Sequence, residues 1–126
     1  SFDARVGVDV EEIRPIGPDE IAWALSATER EALASVGQGE QLETFFRFWT
    51  LKEAFMKGTG LGAALPLHDF DTGLDGPGLV RLKDRPEEPA RWKFNEISPR
   101  AGMRGAVTAC TEGSPMAANW RWAELN

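Results

Sequence analysis

One stretch, Gln41 to Lys57, constrains the fold more than anything else in the chain. Phe45, Phe48, Trp49, Leu51, Phe55 and Met56 make it apolar around much of its circumference. A helix of that kind belongs inside a core rather than on a surface. Gly58 and Gly60 follow it, in the C-terminal position where glycine is favoured, and are expected to end it. At 126 residues the chain is one domain by length, residues 1–126, with room for a real but modest core. Everything else has to pack around this helix.

Upstream, Ser26-Ala27-Thr28-Glu29 opens a shorter helix: a serine N-cap with a glutamate three residues on is a capping box. Gly37 and Gly39 stop it. Before it, valines 6, 8 and 10 alternate with Gly7, Asp9 and Glu11, the period of a half-buried strand that puts Asp9 and Glu11 on one face, opposite the valines. Pro15, Gly17 and Pro18 read as the loop that closes it. After Leu65, candidate strands at about 68–73, 79–84, 91–97, 104–111 and 119–124 are separated by turn-rich stretches such as Asp75-Gly76-Pro77-Gly78. Val80/Leu82 and Trp92/Phe94 alternate with charged neighbours, as antiparallel strands with one wet face do. The order is one strand, two helices and a run of strands. That order specifies an α+β fold, an antiparallel sheet packed against helices.

Several functions are excluded by inventory. With one cysteine, Cys110, and one histidine, His68, there is neither an internal disulfide nor a cysteine–histidine zinc site of ordinary ligand count. A serine–histidine–acid triad has to run through His68, which lies beside no nucleophile motif. The net charge of −6 argues against nucleic-acid binding by general attraction, although a local lysine cluster can still hold an anion. No apolar run approaches the roughly 20 residues that span a bilayer. The first residues lack the layout of a signal peptide, so a cytoplasmic location is expected.

Two clusters carry possible chemistry: Asp9-x-Glu11 on the strand, and Lys52-Glu53 with Lys57 on the helix. Glu53 and Lys57 stand at i and i+4, so their side chains can meet. Three carboxylates offer hard oxygen ligands of the kind Mg²⁺ takes, and two lysines beside them can neutralise phosphate oxygens. Spacing leaves plainer readings open. Asp9 and Glu11 also fit the wet face of a strand, and Glu53–Lys57 fits an ordinary helix ion pair. The aromatic residues of the helix read as core, and His68 and Cys110 as structural.

Taken together, Gly7-Val8-Asp9-Val10-Glu11 and Trp49-Thr50-Leu51-Lys52-Glu53-Ala54-Phe55-Met56-Lys57 resemble the paired signature of the 4′-phosphopantetheinyl transferase superfamily. That signature is a G-[IV]-D-[IV]-E strand and, some forty residues on, a W-x-x-K-E-[AS]-x-x-K helix. The apolar stretch at 61–67, the strand from Arg104 to Cys110 and the ending with Trp120 and Trp122 extend the resemblance to the second half of the surfactin-synthetase-activating branch. The resemblance implies transfer of the phosphopantetheine arm of coenzyme A to a serine of an acyl, polyketide or peptidyl carrier protein. It implies Asp9, Glu11 and Glu53 as Mg²⁺ ligands, with Glu53 also the base. It implies Lys57 as pyrophosphate contact and proton donor to the leaving nucleotide, and Lys52 as a further phosphate contact.

Surfactin-type enzymes have two similar lobes with coenzyme A between them, and this chain begins where the second lobe would. A self-associating or fused catalytic lobe is therefore expected, as a homo-oligomer or paired with a second lobe. The competing readings are a module that binds coenzyme A or carrier protein without transfer, and a metal-dependent nuclease. The acidic charge and the helical Glu-Lys pair oppose the nuclease. Neither nucleic acid nor membrane is an expected partner.

Overall fold

A computed structural model describes residues 4–60 and 65–111. The expected strand at 119–124, with Trp120 and Trp122, lies outside them, as do residues 61–64. Strand β1 (Ala4–Glu12) leads to helices α1 (Pro18–Ala24), α2 (Ala27–Ser35) and α3 (Gln41–Thr59). Strands β2 (Phe70–Gly73) and β3 (Gly78–Leu82) form a hairpin. The short helix α4 (Glu88–Arg91), β4 (Trp92–Ile97) and β5 (Met103–Thr111) follow. The strands make two antiparallel sheets, β1-β5-β4 and β2-β3, and α3 packs on the first through β1 and β5. The α+β reading holds, with two sheets in place of one. No helix among the described residues is long and apolar enough to cross a membrane.

Helix α3 is the core element that its apolar girth demands: Phe45, Phe46 and Leu51, which point to different sides of it, are all buried. It runs through Gly58 and ends at Gly60, whose φ of 72° gives the left-handed C-cap. Gly58 therefore does not stop the helix. A Cβ at Gly58 would lie 2.9 Å from the Trp92 ring, and one at Gly7 would lie 1.8 Å from the Ala54 carbonyl oxygen. Two glycines let strand and helix touch backbone to backbone, which only residues without a side chain permit.

This contact decides which face of β1 is inside. Gly7 and Asp9 are buried, whereas Val6, Val8 and Val10 are 39–44% exposed. The alternation was legible, but the valine face is the outer one. A second parity differs in β3. Leu79 is buried and Val80 is 60% exposed, because Thr72 pairs with Leu79 and Asp71 with Arg81, leaving Val80 as the extra residue of a bulge.

The segment expected to be only loop after β1 contains α1. Pro18 occupies the first turn with Asp19 and Glu20, and the Glu20 carboxylate accepts from the Gly17 amide at 3.3 Å. Proline in the first turn and acids near the N-terminus are start signals for a helix. In α2 the expected capping box is present: Ser26 Oγ accepts from the Glu29 amide at 3.3 Å, and Glu29 Oε1 from the Ser26 amide at 2.9 Å.

Candidate active site

The inward face of β1 carries Asp9 to the side of α3 that bears Glu53 and Lys57. Asp9 is 3% exposed, and its Oδ1 accepts from Lys57 Nζ at 2.7 Å. Lys57 thus reaches across to the strand instead of closing an ion pair with Glu53 along its own helix. Its root sits one helical turn from Glu53, and its side chain stays half exposed. The second carboxylate oxygen of Asp9, Oδ2, is buried with no hydrogen-bond partner.

The acids sense one another. Burial and then the charge of Asp9 push the Glu53 carboxyl above its ordinary pKa, against the pull of Lys57. Glu11 is likewise raised, first by burial and then by the nearby carboxylate of Asp9. Lys57 and the indole N–H of Trp49, which closes no hydrogen bond of standard geometry, oppose that shift. Lys57 is itself raised, foremost by its hydrogen bond to Asp9, with Asp9, Glu53 and Glu11 all adding attraction. Three carboxylates and one ammonium therefore form a single electrostatic unit with an excess of negative charge.

That unit fits a divalent cation by its chemistry: hard carboxylate oxygens, one of them buried and unsatisfied, with too few positive charges to balance them. The carboxylates are not already gathered as a cage, since no group of three or more metal-ligating side chains stands assembled among the described residues.

Lys52 departs from the expected site. Its Nζ is fully buried on another side of α3, bonded to Glu29 Oε1 at 2.8 Å and the Phe70 carbonyl at 2.5 Å, and 4.0 Å from the centre of the Phe70 ring. Burial pulls its pKa down, and Glu29 opposes the shift. A side chain with no exposed surface and all its contacts internal has no access to a phosphate, so the placement contradicts its reading as a phosphate contact.

Beside Glu53 and Lys57 opens a cleft of about 560 Å³, walled by Trp23, Met56, Leu65 and His68. Trp23 is 61% exposed and leans on Trp49 with ring centroids 5.8 Å apart. Trp23 and His68 carry no site role in the sequence reading. Trp23 belongs to α1, whose proline-and-acid start was the available signal. His68, which reads as structural in the sequence, is exposed on the rim.

The sequence profile of the 4′-phosphopantetheinyl transferase superfamily matches residues 5–111, which include every member of this cluster. The chain belongs to that superfamily. Among curated relatives, 4′-phosphopantetheinyl transferase Sfp of Bacillus subtilis is 33% identical over 118 residues, covering 91% of this chain and 51% of the relative. The transferase psf-1 of Bacillus pumilus is 42% identical over 103 residues, covering 80% and 44%. The kinship to the Sfp-like branch is thus direct, although this superfamily member spans about half the length of those relatives. Its fold matches a holo-(acyl-carrier-protein) synthase of Bacillus anthracis in complex with CoA (3′,5′-ADP), with a TM-score of 0.67 at 17% identity over 88% of this chain and 98% of that one. A Thermotoga maritima holo-[acyl-carrier-protein] synthase gives 0.64 at 20% identity over 84% and 62%.

Proposed function

We propose that this superfamily member transfers the 4′-phosphopantetheine group of coenzyme A to a serine hydroxyl of an acyl, polyketide or peptidyl carrier protein, with Mg²⁺ bound by Asp9, Glu11 and Glu53. The observation that carries the reading is the Asp9–Lys57 contact, made by a lysine that lines the cleft together with Glu53 of the same helix. Mg²⁺, when bound, supplies charge neutralisation to the diphosphate.

The chain's own groups account for the remaining chemistry. Glu53 stands in the cleft wall and takes the proton of the attacking serine. Its raised pKa, set by burial and by the charge of Asp9, makes it a better proton acceptor than an ordinary carboxylate. The serine oxygen bonds to the β-phosphorus, the bond to the bridging oxygen breaks, and 3′,5′-adenosine bisphosphate leaves. A phosphodiester remains on the carrier. Lys57 faces the charge that develops on the leaving phosphate. Since Asp9 holds its pKa above the usual lysine value, Lys57 acts as a fixed positive charge more readily than as a proton donor. Lys52 contributes through α3: it anchors the helix turn that carries Glu53.

The exposed stripe of Val6, Val8 and Val10 on the outer face of the sheet supports pairing with a second lobe or a second copy. The half-length match to the relatives also favours the other reading, a lobe that binds coenzyme A or carrier protein without transfer. Incubation with apo-carrier, coenzyme A and Mg²⁺, followed by mass spectrometry, separates them. Carrier mass increased by phosphopantetheine supports transfer. Calorimetric binding of coenzyme A without any mass gain, at every protein concentration tried, supports the binding module.

A further inference from the structure

Helix α3 carries Trp49, Glu53 and Lys57 at four-residue spacing, each one turn from the next along the same side. Strand β1 runs antiparallel to this stripe. Gly7 lies against Ala54 and Gly58 near the end of the helix, whereas Arg104, the direct cross-strand partner of Glu11, pairs at 3.0 Å with Glu43 in its first turn. The inward acids of the strand therefore pass Lys57 first and Trp49 after it. Asp9 takes Lys57 at 2.7 Å. Glu11, two residues and so about 7 Å further along the strand, comes beside Trp49.

The indole of Trp49 is placed as a donor. Its Nε1–H is buried with no hydrogen-bond partner of standard geometry among the described residues. The ring is clamped: Phe45 stacks on it with centroids 6.0 Å and planes 18° apart, and Trp23 leans on it at 5.8 Å. Glu11 is the acid that senses the N–H, which draws its pKa down against the larger effect of burial. The cations on either side are already engaged, Lys57 by Asp9 and Arg104 by Glu43. A neutral donor does what neither of them can: it orients a carboxylate and leaves the negative charge available to a cation.

Resting on the transferase reading and its Mg²⁺ site, we infer that Trp49 is a positioning residue: its indole N–H holds one oxygen of the Glu11 carboxylate and leaves the other for the metal. Asp9 is already fixed by Lys57, so Glu11 is the strand acid whose direction remains to be set. Glu11 is also the less buried of the two, with a longer side chain that can turn toward the fixed ring.

Calorimetric titration of the full chain with Mg²⁺ tests this against a matched control. Trp49→Phe keeps an aromatic ring against Phe45 and Trp23 and removes the N–H. Trp92→Phe makes the same change at a second buried indole whose N–H has no acceptor, packed against Phe55 and away from the acids. Trp49→Phe should bind Mg²⁺ about tenfold more weakly than the parent, the scale on which the outer partners of metal ligands act, and Trp92→Phe as the parent does. In the unaltered chain the Nε1–H proton resonance of Trp49 should move downfield on saturation with Mg²⁺ while that of Trp92 stays, a reading that needs no variant to fold. Equal affinity of Trp49→Phe and parent, or a Trp49 resonance that Mg²⁺ does not move, overturns the role of Trp49 and leaves the metal site standing. Equal weakening by both substitutions also overturns it, since the loss then belongs to packing. A parent that binds no Mg²⁺ and loads no carrier is instead the failure of the transferase reading, and this inference falls with it.

Discussion

Lys52 and Glu29 meet at 2.8 Å with neither side chain exposed, and together they lock three elements to one another. Glu29 Oε2 accepts from the amide and the hydroxyl of Thr72 in β2, both at 2.6 Å, while Oε1 accepts from Ser26 at the start of α2. Lys52 carries the connection into α3. The carboxylate and ammonium satisfy each other inside the protein, so the pair fixes the rotation of α3 and with it the direction of Glu53.

Breaking that pair leaves a charge buried without its partner. Lys52→Met should cost about 3–5 kcal/mol of stability, and Lys52→Met/Glu29→Gln should recover part of it. Urea denaturation measures both. Unchanged stability with a weakened affinity for coenzyme A would instead make Lys52 a phosphate contact.

Asp9→Asn keeps an oxygen for Lys57 and removes a negative charge from an acid-rich cluster. Its stability without metal should stay within about 1 kcal/mol of the parent. Carrier loading should fall at least about a hundredfold, the scale of losing one preorganised electrostatic contact. Mg²⁺ should raise the melting temperature of the parent and not of the variant. The rise should be larger at pH 7.5 than at pH 5, because Glu11 and Glu53, raised by burial, are protonated over a wider acidic range and protonated carboxyls do not bind the ion. Equal Mg²⁺ shifts in parent and Asp9→Asn would remove Asp9 from the metal site.

For stability in the absence of metal the sign is fixed by the same shifts. Glu11 and Glu53 have folded pKa values above their unfolded ones, so the unfolded chain ionises first. Stability therefore declines as pH rises from the ordinary glutamate value through the raised ones. Lys57, also raised, contributes stability that is present below the ordinary lysine pKa and lost above it. In loading assays the acidic limb of the pH profile should follow Glu53 and disappear from the residual activity of Glu53→Gln. A limb that survives unchanged assigns the base elsewhere.

The contact between β1 and α3 predicts an asymmetry between two glycines. Gly7→Ala would drive a Cβ to 1.8 Å from a carbonyl oxygen of the helix and should cost about 3 kcal/mol or more, because backbone has to move. Gly60→Ala meets no neighbour among the described residues and has the left-handed φ to bear, at about 1 kcal/mol. Comparable losses in thermal denaturation would contradict the contact.

Val8→Lys changes a residue that is 44% exposed, so the fold should survive. Self-association, or complex formation with a second lobe, should weaken if the valine stripe is the pairing face. Sedimentation velocity decides, and an unaltered mass distribution in a chain that does associate would place the interface elsewhere.

By itself the sequence determined which elements exist and which residues carry charge. The girth of α3, the capping box at Ser26 and the period of β1 are local properties, and local sequence encodes them. The angular separation of the two lysines was also available: Lys57 follows Glu53 by about 40° around the helix, whereas Lys52 stands about 140° from Lys57. Only the tertiary structure decided what those faces meet. Alternation cannot say which side of a strand is inside, and the backbone contact through Gly7 and Gly58 turned the acids inward and the valines out. Nor does spacing along α3 choose between Glu53 and Asp9 as the partner of Lys57. That choice followed from β1 lying close enough to present a buried carboxylate, which holds an ammonium more firmly than one in water.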